Sequence, residues 1–237
     1  MENDLHLSQH ISRRFNQELE LARNKVLKMG GMVENQVEQG LNALLNLDVE
    51  LAQQMIGQDQ QINEMEREID ATCTQILARR QPAASDLRLM ISIIKTITDL
   101  ERIGDEAIKL GKNAIKLTQS DGSPRQYVEL RNLGERVKSI LKEALDAYAR
   151  MDVDDAIRII EADQLIDEEF DNISRLLITK MMEDPREIRN ALSISYCARA
   201  LERIGDHSKN ICEFVVYLVK GKDVRHQTVD EMKNKLY

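Results

Sequence analysis

Leu100-Glu101-Arg102-Ile103-Gly104-Asp105 recurs letter for letter as Leu201-Glu202-Arg203-Ile204-Gly205-Asp206. An identical hexamer met twice in a chain of ordinary complexity marks an internal duplication. The match extends outward. Leu47-Asp48-Val49-Glu50 pairs with Met151-Asp152-Val153-Asp154, Asp59-x-x-Ile62 with Asp163-x-x-Ile166, and Asp86-Leu87-Arg88 with Glu187-Ile188-Arg189. A small difference in length falls near Pro82 and Pro185, in a turn, where it costs little.

Helix punctuation divides each copy in three. Asp48 and Asp152 stand before periodic stretches and read as N-caps. Asp184-Pro185-Arg186-Glu187 combines an N-cap, a proline at the first helical position and an acid at the third. Ser85 precedes Asp86, and Ser123-Pro124 restarts the chain after Gly122. Six helices follow, at about 8–46, 48–80, 86–118, 124–150, 152–183 and 185–220. The predicted fold is all-α: two tandem pseudo-symmetric three-helix bundles, residues 1–120 and 121–237, with short connections making neighbours antiparallel. Gly30-Gly31 predicts a kink in the first helix.

Composition agrees. The 237 residues are 42% hydrophobic and 31% charged, with ten Gly, three Pro and no Trp, which favours helix. The net charge of −8 argues against nucleic acid as the main partner and gives no general attraction to an anionic bilayer. No signal peptide and no membrane-length apolar run are evident, so the expected location is cytoplasmic, with the membrane reached only through partners. Cys73, Cys197 and Cys212 read as reduced thiols. Cys197 and Cys212 fall in one predicted helix, roughly 22 Å apart, too far to bond.

The second helix of each copy carries a seam: Met55, Asp59, Ile62, Glu66, Ile69, Cys73, Ile76, and then Ile159, Asp163, Ile166, Phe170, Ile173, Leu177. The alternating spacing of four and three is that of a helix–helix contact, and Asp59 and Asp163 occupy positions that should be apolar. On the third helix, Glu101 and Asp105 share an arc with Met90, Ile94 and Ile108. Arg88, Lys95, Asp99, Arg102, Glu106 and Asn113 form an opposite arc, read as the polar face. Glu202 and Asp206 repeat the arrangement beside Ile188 and Ser195.

Heights then coincide. Asp59 and Asn63 lie about 17–21 residues before the end of their helix, and Glu101 and Asp105 about 15–19 residues after the start of the next. An antiparallel hairpin brings all four level, and it does the same for Asp163, Asp167, Glu202 and Asp206. Carboxylates held close repel and call for protons, basic partners or cations. Oxygen-only ligands suit hard ions such as Mg²⁺, Mn²⁺, Ca²⁺ or oxidised iron. One carboxylate-lined metal site per copy is therefore expected. Asn63 replaces an acid in the first, which predicts lower charge and weaker binding there. The competing reading is ordinary: Glu-x-x-x-Asp is a common spacing, and most such pairs are solvated or bridged to nearby Arg. A mid-helix glycine costs about 1 kcal/mol relative to Ala, so Gly104 and Gly205 predict close helix packing beside the acids.

Other candidates carry less. His6 and His10 have i,i+4 spacing near a terminus, His207 follows Asp206, and His226 sits in a polar tail. Arg88 and Arg189, near matching helix starts, are candidate anion- or partner-binding residues, with solvated charge as the plainer account. The methionines read as core filler. No glycine-rich phosphate loop or Ser-His-Asp arrangement is present.

The doubled hexamer, the preceding Asp86-Leu87-Arg88 and Glu187-Ile188-Arg189, and the Asp59 and Asp163 helices resemble the PhoU family over nearly the whole chain. The resemblance implies two three-helix bundles in a homodimer. It implies a cytoplasmic negative regulator of the phosphate-starvation response, without catalysis, that links the ATPase of a phosphate ABC transporter to a sensor histidine kinase. It also implies metal-binding E(D)-x-x-x-D motifs, falling here on Glu101/Asp105, Glu202/Asp206 and Asp163/Asp167, with Mg, Mn or Fe as candidates. Asp59/Asn63 departs at its last position. Two alternatives stand beside it. A carboxylate-bridged metal enzyme is disfavoured because no His follows a candidate Glu at the third position. A metal-free structural scaffold is the other.

Overall fold

The computed structural model describes residues 13–80, 82–119 and 128–236. The start of the first helix, His6 and His10, the Gly122-Ser123-Pro124 restart and the expected boundary at 120/121 lie outside them. Six long helices are present: α1 Arg13–Asn46, α2 Val49–Arg80, α3 Ala84–Leu117, α4 Val128–Arg150, α5 Val153–Glu183 and α6 Ile188–Lys220. Among the described residues there is no strand, and no helix is long and apolar enough to cross a membrane.

The duplication is visible in the turns. Leu47 and Met151 take left-handed backbone angles, φ 53° and 54°. Behind them Asp48 N–H donates to the Ala43 carbonyl at 2.9 Å and Asp152 N–H to the Ala147 carbonyl at 3.0 Å. These bonds close the preceding helix. Each aspartate then caps the next one: Asp48 Oδ1 accepts from Leu51 N–H, and Asp152 Oδ1 from the N–H groups of Asp154 and Asp155. Asp184 caps a single 3-10 turn, Pro185–Glu187, that runs into α6.

Helices α1–α3 pack together, as do α4–α6, and α3 against α6 forms the most extensive helix pair in the molecule. One apolar core runs through both sets. The seam holds: Met55, Ile62, Ile69, Cys73 and Ile76 are buried, as are Ile159, Ile166, Ile173 and Leu177. All three cysteines are free and buried. Burial disfavours the thiolate, pushing the Cys73 and Cys197 thiols up to about 12.

Glycines mark reciprocal contacts. A Cβ on Gly30 would meet Leu145 Cδ2 at 2.8 Å, and one on Gly134 would collide with Leu41. Gly30 corresponds to Gly134 and Leu41 to Leu145, so α1 and α4 exchange the same knob and hole. α1 runs unbroken across Gly30-Gly31, and Gly30 serves this contact.

The polar arc assigned to α3 needs correction. Asp99, Glu106 and Asn113 are buried, at 7%, 5% and 7% exposure. Arg102 of the arc is exposed and Arg88 and Lys95 are half-buried, but its middle and C-terminal part meets α6. Asp99 Oδ1 lies 2.6 Å from His207 Nδ1 and accepts from Asn210 Nδ2 at 3.0 Å. Arg203 donates to Glu106 at 3.0 Å, and the Lys95 ammonium sits over the Phe214 and Tyr217 rings. The duplicated chain buries this second α3 face against its other half, and periodicity within one copy cannot reveal such a partner.

The tail also differs from expectation. Residues Val229–Leu236 form a short α7. Thr228 Oγ1 accepts from Glu231 N–H, and Glu231 returns the bond to Thr228 N–H. This is a capping box, legible as Thr-x-x-Glu.

Candidate metal centre

In the second repeat, one ligand oxygen from each of Asp167, Glu202 and Asp206 lies within 4.8 Å of the others. Asp167 projects from α5, and Glu202 and Asp206 from adjacent turns of α6. The helices approach because Gly205 has no side chain: a Cβ there would meet Ile166 Cδ1 at 2.7 Å and Asp163 Oδ1 at 3.4 Å. Gly104 plays the same part in the first repeat, where a Cβ would meet Ile62 Cδ1 at 3.4 Å. Close packing is thus what the repeated glycine supplies.

Asp163 lies deepest, at 2% exposure. The Lys209 ammonium donates to its Oδ2 at 2.9 Å. Burial works against the Lys209 charge, but the bond to Asp163 and the surrounding acids leave its pKa raised. Glu202 divides its roles: Oε1 accepts from Arg199 at 2.9 Å, while Oε2 is buried with no hydrogen-bond partner. Arg199 is itself stacked on Phe170, 4.9 Å from the ring centroid. Burial, then neighbouring acids, raise all three carboxyls. Asp163 acts on Asp167, Asp206 on Glu202, and Asp163 and Asp167 on Asp206.

The first repeat repeats the theme with looser geometry. Burial raises Glu101, followed by the fields of Asp105, Glu66 and Asp59. It raises Asp105, followed chiefly by Asp59. Asp59, Asn63 and Glu101 are half-buried and Asp105 is exposed. Among the described residues, only the second repeat brings three such groups within 4.8 Å. Glu66 is an acid the sequence reading left out of the site. Its signal was a charge at a seam position, where the second repeat has Phe170. Burial, then Asp70, raises it too.

Arg88 is half-buried and donates to the Leu218 carbonyl at 3.4 Å, beside Gly221, the left-handed residue that ends α6. It holds the C-terminus of α6, where a cation also meets the helix dipole. Arg189 is exposed at the start of α6. His207 is bound to Asp99 rather than directed by an acid of the cluster.

An orphaned buried oxygen on Glu202, two further carboxylates beside it and carboxyl pKa values raised by burial and then by mutual repulsion fit a hard cation with an all-oxygen shell. A three-helix unit used twice, with one acidic cluster in each copy, defines a class of protein. The PhoU domain family model matches residues 26–114 and 130–215, and the chain belongs to the PhoU family.

Particular relatives bear this out. The chain is 53% identical over 232 residues to a phosphate-specific transport system accessory protein PhoU homolog of Pseudomonas putida, covering 98% of this chain and 91% of that one. It is 47% identical to the phosphate-specific transport system accessory protein PhoU of Escherichia coli (strain K12), covering 97% and 95%. The crystal structure of PhoU from Pseudomonas aeruginosa superimposes with a TM-score of 0.85 at 54% identity, covering 88% of this chain and 100% of that one. The phosphate transport system regulatory protein PhoU from Streptococcus pneumoniae gives 0.82 at 33%, covering 89% and 99%.

Proposed function

We propose that this chain is a cytoplasmic adaptor that represses the phosphate-starvation response. It couples the phosphate ABC transporter, through its ATPase, to a sensor histidine kinase, and it acts as a homodimer without catalysis. Its two acidic clusters bind Mg, Mn or Fe ions. The observation that carries the metal reading is the convergence of Asp167, Glu202 and Asp206 around a buried, unbonded oxygen of Glu202. The names of close relatives as accessory and regulatory proteins support the adaptor reading.

Asp167, Glu202 and Asp206 would hold the ion of the second repeat, and Asp59, Glu66, Glu101 and Asp105 that of the first. A bound cation supplies charge neutralisation and a fixed distance between helices. The chain's own residues do the rest. Gly104 and Gly205 let the paired helices close, and the α3–α6 contact joins the two clusters into one rigid element. Coupling to two partners requires differential affinity for their states, and rigid elements favour docking with little reorganisation.

Deleting the gene is expected to derepress phosphate-starvation genes in phosphate-rich medium. Affinity capture from phosphate-rich cells is expected to bring down transporter ATPase and kinase together. Normal repression in the deletion strain rejects the adaptor. Protein that is metal-free after chelator-free purification, and whose melting temperature ignores added Mn²⁺ and Mg²⁺, rejects the metal sites.

A further inference from the structure

Five of the cations of this acidic chain surround one cleft. Between the C-terminal half of α3 and the N-terminal half of α6 lies a cavity of about 480 Å³, whose walls carry Lys109, Lys112, Lys116, Arg199 and Arg203. One carboxylate, Glu106, lies among them, together with Asn113 and Tyr196. Glu106 is only 5% exposed. It receives Lys109 at 2.8 Å and Arg203 at 3.0 Å, fixing both heads from below. Lys112 and Lys116 are exposed and make no ion pair among the described residues.

Lys109, Lys112 and Lys116 follow one another at three- and four-residue intervals on α3, a spacing at which like charges repel, with Lys116 in the last turn, where the helix dipole favours a cation. Arg199 and Arg203 add two more across the cleft. Two carboxylates answer them, Glu106 for Lys109 and Arg203 and Glu202 for Arg199. Five cations held together by the fold against two counter-charges make a site for an anion.

Size selects the anion. Lys109 and Lys116 are seven residues apart, roughly 10 Å along the axis. One tetrahedral phosphate cannot touch both ends, whereas a chain of phosphates can. The cavity lies in the range of sites for extended small molecules. Tyr196, 65% exposed at the rim, offers a ring face on which a base can stack.

We propose that the α3–α6 cleft binds a small anion carrying a chain of phosphates, through Lys109, Lys112, Lys116, Arg199 and Arg203. The ligand is a nucleoside triphosphate or an inorganic phosphate chain; the two share the recognising chemistry. The site adjoins the second carboxylate cluster, which Arg199 touches through Glu202, and it does not depend on metal there.

The test is calorimetric titration of the full-length protein in excess chelator, so that no metal bridges an anion to the acids. Inorganic tripolyphosphate, ATP and orthophosphate are compared. Saturable binding of at least one chain anion is expected, with orthophosphate about tenfold weaker or more and affinity falling with salt. Lys112→Glu with Lys116→Glu is expected to weaken binding by about tenfold or more while the helical signal and melting temperature hold. Lys142→Glu, an exposed charge reversal on α4, is expected to leave it unchanged. A preference for ATP that Tyr196→Ala abolishes assigns the nucleoside triphosphate; equal binding of ATP and tripolyphosphate assigns the inorganic chain. The proposal is overturned if no chain anion binds, if orthophosphate binds equally well, if Lys142→Glu matches the double variant, or if an acidic peptide binds where both chain anions fail.

Discussion

The two acidic clusters occupy equivalent places in a duplicated molecule, yet they are finished differently. The second buries Asp163 almost completely and gives it a cation, Lys209; the first places Ile108 where Lys209 stands. The first instead keeps a fourth acid, Glu66, where the second has Phe170 under Arg199. A wall on one side also differs. Gln227 and Thr228, with Val229 and Asp230 of the first turn of α7, line a cavity with Asp163, Asp167 and Lys209. Duplication fixed the position of the acids; later substitutions set their charge balance separately. The second cluster is the more preorganised and the first the more open; with Glu66 beside Glu101 and no counterpart of Lys209, the first is not the less charged cluster that Asn63 predicts.

The widest gap should appear on losing ligands. Glu202→Gln with Asp206→Asn is expected to weaken Mn²⁺ binding about a hundredfold, and Glu101→Gln with Asp105→Asn about tenfold, because fewer oxygens converge in the first cluster. Titration followed by elemental analysis separates the two; equal losses would erase the distinction drawn above.

Lys209→Met tests the built-in cation. Asp163 would be left buried and unpaired, and a loss of about 2 kcal/mol is expected in chelator, discounted because the Lys209 side chain is 35% exposed. Added Mn²⁺ should recover much of it, since ligand binding to the folded state stabilises it. Denaturant melts with and without metal give the answer, and a variant as stable as the parent in chelator refutes the pairing.

A pH effect of about 1–2 kcal/mol is expected from Glu213 in the second repeat, where the first repeat has Lys112. Burial pushes the Glu213 carboxyl up to about 7, against the opposing fields of Lys209 and Arg225. The folded state therefore holds a proton that the unfolded state has released. Stability is greatest at pH near or below the ordinary value of 4.5 as far as this group is concerned, and falls as pH rises toward and through 7. Glu213→Gln is expected to flatten that segment of the curve between pH 5 and 8 to within about 0.5 kcal/mol. An unchanged profile assigns the slope to other groups.

The smallest effect is expected from Asn63→Asp, which restores the acid of the second repeat. Mn²⁺ affinity of the first cluster should rise severalfold, about 1 kcal/mol, at the cost of greater repulsion without metal. No gain in affinity would mean that Glu66 already fills the place of the missing carboxylate.

Much of this was legible from residues alone. The hexamer announced the duplication, seam spacing located Asp59 and Asp163, and the rise per residue put the acids of adjoining helices level. The capping aspartates 48 and 152 gave the helix starts, because a side-chain cap is a local interaction written in a few residues. Even Glu66 and the Thr228 capping box had signals, and these went unused.

The amino-acid order alone determined a twice-used three-helix unit with carboxylates at matching depth, since periodicity and local capping act within a few turns. Only the folded chain decided which face of α3 is buried, that Lys209 answers Asp163, and that five cations share one cleft. Those facts depend on residues from 46 to 111 positions apart meeting across helices, and the free energy of such a meeting belongs to the packed pair rather than to either segment.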